Sequence, residues 1–307
     1  MATMPKPFLT AGTYPLHDYH AEANVLTGHL LNPVDQEIQK QASVHLRNEH
    51  GGHFFQRVEH YSLEGLISFR SGYTHASGYR SLKNQGWVTL STSVLEGLNV
   101  LDVITADRMV AQISTEHPLE NGHVPHVTFL GTRFENLRIG GYEVKMDFDL
   151  NICGDKPKND RPYLEDSGFL ERVEQQCASI ARASGVPKAV QGEYNGELNQ
   201  IALIRKDSNG SGKQNGKELE LECSLVKSID PIPVAKAFGN VLEIPGFGVV
   251  KLAQVEIGYR PEKNRAKDNT STGSHYFHLT MLQMHMGCIG DGKVSAASVT
   301  ANGKTRP

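Results

Sequence analysis

Hydrophobic residues along much of this chain recur at every second position. Between Val144 and Ile152 the residues Val144, Met146, Phe148, Leu150 and Ile152 are apolar, with Lys145, Asp147, Asp149 and Asn151 between them. From Glu218 to Leu225 the apolar set is Leu219, Leu221, Cys223 and Leu225, separated by Glu220, Glu222 and Ser224. A period of two turns one face to a core and the other to water, which predicts half-buried strands. Sheets wetted on one side are mostly antiparallel. The turn chemistry agrees. Ile139-Gly140-Gly141-Tyr142 offers the two positive-φ residues of a primed hairpin turn. Asn-Gly pairs at 121, 195, 209, 215 and 302, with glycine turns over 243–248 and 289–293, punctuate the rest. The polar stretch Asp207–Gly216 predicts a loop joining a strand over Leu198–Lys206 to another over Lys217–Lys227.

One segment changes period. Phe169, Leu170, Val173, Cys177, Ile180 and Ala181 form an i, i+3/i+4 stripe, Ser167 stands where a cap belongs, and Gly185 and Pro187 follow as a stop. The fold expected is therefore mainly β: an antiparallel, sandwich-like or stacked-sheet body with one amphipathic helix in the middle linker. The chain divides into a β-rich first half over 1–153, a linker and helix over 154–196, and a β-rich second half over 197–307. No βαβ series is visible, which excludes a doubly wound nucleotide-binding sheet.

Composition narrows the function. Of 307 residues 38% are hydrophobic, enough to bury a core, and no apolar run approaches the ~20 residues that span a bilayer. Thirty-one basic and thirty-four acidic residues leave a net charge of −3, against broad capture of nucleic acid. The N-terminus shows no secretory signal. Cys153, Cys177, Cys223 and Cys288 stand far apart with no C-x-x-C, and read as buried thiols. Gly212-Lys213 and Gly216-Lys217 lack the first glycine of a phosphate loop and its hydroxyl, Gln214 and Glu218 standing in that place. Asp147-x-Asp149-x-Asn151 fails as a calcium loop because Ile152 occupies the glycine position.

Histidine is the unusual residue. Eleven of fourteen precede residue 127, and four pairs are spaced H-x-x-H: His17/His20, His50/His53, His123/His126 and His275/His278. On a strand that spacing sends two rings to opposite faces; in a turn they can converge. Gly51-Gly52 singles out His50 and His53, with His17 or His20 and Glu49 completing a site for zinc, copper or nickel. The competing expectation is a chain without cofactor, its histidines ordinary loop and strand-end residues.

Two stretches, Thr89–Thr115 continued by Thr128–Val144, and Val241–Ile257 followed by His278–Val299, run in an order that resembles the choice-of-anchor type of β-rich bacterial surface and secreted proteins. The resemblance implies a β-rich fold and an extracellular or envelope location if the chain's start is trimmed, and it lends no catalytic residues. The expectation is a non-enzymatic structural or binding β-protein that forms homo-oligomers, with no nucleic acid and no membrane span. Its rival is a histidine-metal hydrolase or a histidine-based isomerase in a β-cavity.

Overall fold

The computed structural model describes residues 16–32, 35–82, 86–120, 122–209, 218–261, 273–287 and 292–306. In chain order the strands of the first half are β1 (Leu16–Leu30), β2 (Gln36–Gln41), β3 (Val44–Asn48), β4 (Gly52–Leu63), β5 (Ile67–Arg80), β6 (Trp87–Val100) and β7 (Ile104–His117), then the short β8 (His126–Thr128), β9 (Arg133–Glu135), β10 (Arg138–Ile139), β11 (Tyr142–Glu143) and β12 (Met146–Phe148). Helices α1 (Ser167–Ala181) and α2 (Lys188–Asn209) lead to β13 (Leu219–Ser224), β14 (Val226–Ile229), β15 (Lys236–Phe238), β16 (Val241–Ile244), β17 (Gly248–Pro261), β18 (Gly273–Met286) and β19 (Gly292–Arg306).

All pairings are antiparallel among the described residues. One sheet, A, runs β15-β16-β17-β18-β19-β1-β2, with β13 on β17 and β3 on β1; a second, B, runs β11-β10-β7-β6-β5-β4, with β8 and β9 on β7; β12 and β14 form a separate two-stranded pair. The sheets pack face to face, β1 against β5 and β6, β19 against β6 and β7. Strand β1 of the first half pairs along its length with β19 of the second, so the two sequence halves share sheet A. The interface is lined by small residues. Ser91 and Ser93 of β6 donate to the carbonyls of Glu22 and Asn24 at 2.6 and 2.8 Å, and Thr74 of β5 donates to Ala42 at 2.6 Å. Gly72 leaves room for Val25, whose Cγ1 would lie 2.5 Å from a Cβ at that position.

Each sheet carries a crease. In sheet A pairing is interrupted without a change of register at Val25, Ala297, Met281 and Ala253. Ala297 and Ala253 have φ of 52° and 45°, and Ala42, between β2 and β3, has φ 44°. In sheet B the same happens at His60, Arg70, Gly97 and Asp107, with His60 at 53° and Gly97 at 67°. Left-handed residues thus alternate strand by strand along one row. Each flips the pleat, so the buried set in β1 changes from the odd positions up to Val25 to Leu26 and Leu30. Left-handed backbone costs an alanine roughly 1–2 kcal/mol, and all four sheet A residues of the interrupted row are buried.

Several expectations change. Two helices, not one, occupy the middle of the chain. The segment 198–206 is the second half of α2 instead of a strand, and Asn195-Gly196 lies inside that helix. Of the alternating run 144–152 only Met146–Phe148 forms a strand, paired with β14. Asn302-Gly303 lies within β19 rather than in a turn. The helix cap is Asp166, which accepts from the Phe169 N–H at 2.7 Å; Ser167 is the first helical residue. The buried face of α1 is the one its periodicity predicts: Phe169, Leu170, Val173, Cys177, Ile180 and Ala181. The Gly140-Gly141 hairpin also forms, at φ 55° and 85°. Residues 210–216 of the expected loop, Cys288, the turn residues 289–291 and Asn121 lie outside the described residues.

The helices cover an edge of sheet A. On α1, Gln176 accepts from the Ser224 N–H at 2.7 Å and donates to the carbonyls of Ser224 and Val226 at 3.1 and 3.2 Å; on α2, Glu197 accepts from the Glu222 N–H at 3.1 Å. These side chains satisfy the β13 backbone groups that would otherwise recruit another strand.

Candidate functional site

Strand β1 alternates across sheet A. His17, Tyr19, Ala21 and Ala23 face sheet B and are buried, while His20, Glu22 and Asn24 face outward. The outward face holds a cross-strand row. Glu22 lies opposite His45 of β3 and Thr300 of β19; Thr300 lies opposite His278 of β18, His278 opposite Glu256 of β17, and Glu256 opposite Glu222 of β13. Residues in direct register on one face are each other's nearest side-chain neighbours.

At one end of the row three side chains converge. His20 Nε2 lies 2.9 Å and His45 Nδ1 3.0 Å from the same Glu22 oxygen, Oε1. The three ligand atoms lie within 4.8 Å of one another. A tetrahedral zinc with bonds of about 2.0–2.2 Å sets its ligand atoms roughly 3.3 Å apart, so an ion would open each nitrogen–oxygen pair by only a few tenths of an ångström. The His20 hydrogen bond holds the Glu22 carboxyl at about 2, against burial and with help from His20, His45 and Lys40. It is ionised, as a metal ligand must be.

Glu222, Glu256 and His278 of the row line a polar trough of about 300 Å³ together with Asn24, Lys40 and Lys293 among others. His278 bonds through Nδ1 to Thr300 at 2.8 Å and through Nε2 to Thr280 at 3.0 Å. Burial lowers its pKa to about 4. Burial, and after it the charges of Glu220 and Glu222, push Glu256 up to about 7. Glu222 is raised by burial against the pull of Lys251, whose ammonium lies 4.0 Å away and is hydrogen-bonded to Glu193 of α2.

The residues expected to form one metal site are dispersed. His17 is buried between the sheets, and His20 stands on the opposite face of β1. Glu49 and His20 line a common surface hollow of about 490 Å³. His53 stacks on His75 on sheet B, ring centres 5.9 Å apart, and His50 is exposed in the turn. The Gly51-Gly52 pair serves a different need: a Cβ on Gly51 would meet the Gly78 carbonyl oxygen at 2.1 Å, so glycine lets the turn pass β5. Sequence reading missed His45 and Glu22. The H-x-E spacing of His20 and Glu22 was available as a same-face strand signal, but the partnership with His45 depends on the β1–β3 register.

A second histidine group sits inside the sandwich. His17 stacks on Trp87, ring centres 5.2 Å apart and planes at 9°, and lies 4.7 Å from His117; His275 lies 4.8 Å from the Tyr259 ring. All three are buried. His17 Nε2 and both ring nitrogens of His275 have no hydrogen-bond partner among the described residues, while the His117 ring lies against the Gly303 backbone. Gly303 makes the space, since a Cβ there would lie 2.5 Å from His17 Nε2. Burial lowers His17 and His275 to about 4 and His117 well below its ordinary value.

No curated protein and no solved structure matches the chain. Residues 17–258, the greater part of its length, match the family described as a domain of unknown function, DUF8256, and the chain belongs to that family.

Proposed function

We propose that this chain is a non-enzymatic binding β-sandwich that associates with itself and holds a zinc, copper or nickel ion on His20, Glu22 and His45. The observation that carries the reading is the convergence of two imidazole nitrogens on one carboxylate oxygen at 2.9 and 3.0 Å, built on two paired strands that fix the spacing. The surface setting implied by the choice-of-anchor resemblance is compatible with such a module.

A hydrolase reading draws on the open fourth position that three protein ligands leave for water. Distance weighs against it. Glu256, the carboxyl held near neutral pH on this face, sits three strands from Glu22, about 14 Å at the usual strand spacing. A substrate on the ion would be out of its reach.

The test is calorimetric titration of the metal-stripped full chain with zinc, copper and nickel, alongside metal analysis of the untreated protein. Binding of one ion is expected, and acid should weaken it because a ligand imidazole must be neutral. His45→Ala and Glu22→Gln should abolish it, and the pair His50→Ala and His53→Ala should leave it unchanged. Absence of binding, or binding that survives His45→Ala, refutes the site. Turnover of an ester or phosphoester by the loaded protein would favour the hydrolase.

A further inference from the structure

Strand β4 runs twelve residues along an edge of sheet B with β5 as its only ladder partner among the described residues. Exposed edges in native proteins are kept short, given charged side chains or proline, twisted away by bulges, or covered. The β13 edge of sheet A is covered by Gln176 and Glu197, and β8 to β11 are two or three residues each. Among the described residues β4 has no proline and no covering segment up to its crease at His60, and the charges it carries there, Arg57 and Glu59, are of opposite sign. It is also exposed on both faces: Phe54 on one is 43% accessible and Phe55 on the other 58%. A monomer gains nothing by placing two phenylalanines in water at a free backbone edge.

The charges indicate what covers it. Arg57 and Glu59 share one face of β4, form an ion pair at 2.6 Å and are both exposed. They flank Val58 symmetrically. An antiparallel copy of β4 placed about a two-fold axis at Val58 sets Arg57 of each strand opposite Glu59 of the other. A copy shifted by four residues either way loses both cross-strand pairs. We infer that β4 is the self-association edge of this protein, pairing antiparallel with β4 of a second copy about Val58 and joining the two B sheets. This rests on the self-association in the proposed function and not on its metal site, so the metal titration and the test below fail independently.

The experiment is sedimentation equilibrium of the full chain over a wide concentration range. The parent is expected to show a monomer–dimer equilibrium. Arg57→Glu and Glu59→Arg each place like charges opposite one another twice across the axis and should raise the dissociation constant about tenfold. The combined reversal, Arg57→Glu with Glu59→Arg, should restore it. Both side chains are exposed in the monomer, so the variants fold, which circular dichroism checks. Val58→Cys should give a disulfide-linked dimer on oxidation. Four outcomes overturn the inference: a monomer at every concentration, its edge covered by its own chain or another protein; a dimer indifferent to either single reversal; no rescue by the double variant; or growth beyond the dimer into an open filament.

Discussion

Acid should weaken this protein through the histidines enclosed between its sheets, and His275 gives a measurable case. Its folded pKa of about 4 lies below the ordinary 6.5, so between those values the unfolded chain binds the extra proton. Stability therefore rises with pH in that window: the contribution is complete above about 6.5 and is lost as the pH falls toward 4. At about pH 4.5 the loss from one such group is roughly 2.5 kcal/mol. His17 matches it, so the two sum to a large part of the ~5–15 kcal/mol that holds a domain together, and burial lowers His117 in the same direction. Glu197 and Glu256, raised to about 7 chiefly by burial, act in the opposite sense. Partial solvent access reduces their share to about 1 kcal/mol each. Urea unfolding midpoints measured from neutral pH down to about 4.5 should fall steeply. His275→Leu removes one group of similar size and should narrow the gap to the parent, or reverse it, by roughly 2.5 kcal/mol across that range. A midpoint flat with pH, or a variant as acid-sensitive as its parent, would refute the reasoning.

Three further changes bear on the packing. Gly72→Ala should cost about 1–3 kcal/mol in thermal or urea unfolding, because its Cβ would fall 2.5 and 2.9 Å from the Val25 methyls; an unchanged melting temperature would mean that the sheets stand further apart. Gln176→Ala removes three hydrogen bonds to the β13–β14 backbone and should cost about 2–3 kcal/mol while raising amide exchange at Ser224, whose N–H it leaves without that acceptor. Val173→Asp buries an unpaired charge at a fully enclosed position of α1 and should cost several kcal/mol, read as loss of the cooperative unfolding transition at room temperature.

The parts of the fold written in local chemistry were legible in the sequence. The Gly140-Gly141 turn and the stripe of α1 each depend on neighbours within a few residues, and both form as the pattern predicts. Helix α2 escaped because Gly192, Gly196 and scattered apolar residues blur its periodicity; what holds it is tertiary, through buried Tyr194, bonded to Asn240 at 3.1 Å, and Ile201. The creases disguise long strands by shifting the alternation midway, and no residue preference marks a left-handed Ala297. For the site, H-x-x-H drew attention to the wrong partnership, since a strand sends His17 and His20 to opposite faces. The useful spacing was two, His20 to Glu22. Its completion by His45 is a matter of register between strands, which a single sequence does not encode locally.

The creases also bear on alignment errors. An ordinary strand can slide by two residues and still show the same side chains to the core, so misaligned states compete closely with the native one. A strand whose alternation reverses partway has no such freedom, because a slide of two leaves the residues between old and new reversal points facing the wrong way. Ala42, Ala297 and Ala253 act as keys cut at matching heights on alternate strands, and only one alignment engages them together. His45 then meets Glu22, whereas a slide of two would place it beside His20 or Asn24. The conformational cost of three left-handed alanines thus secures the position of a histidine several residues away on the opposite face.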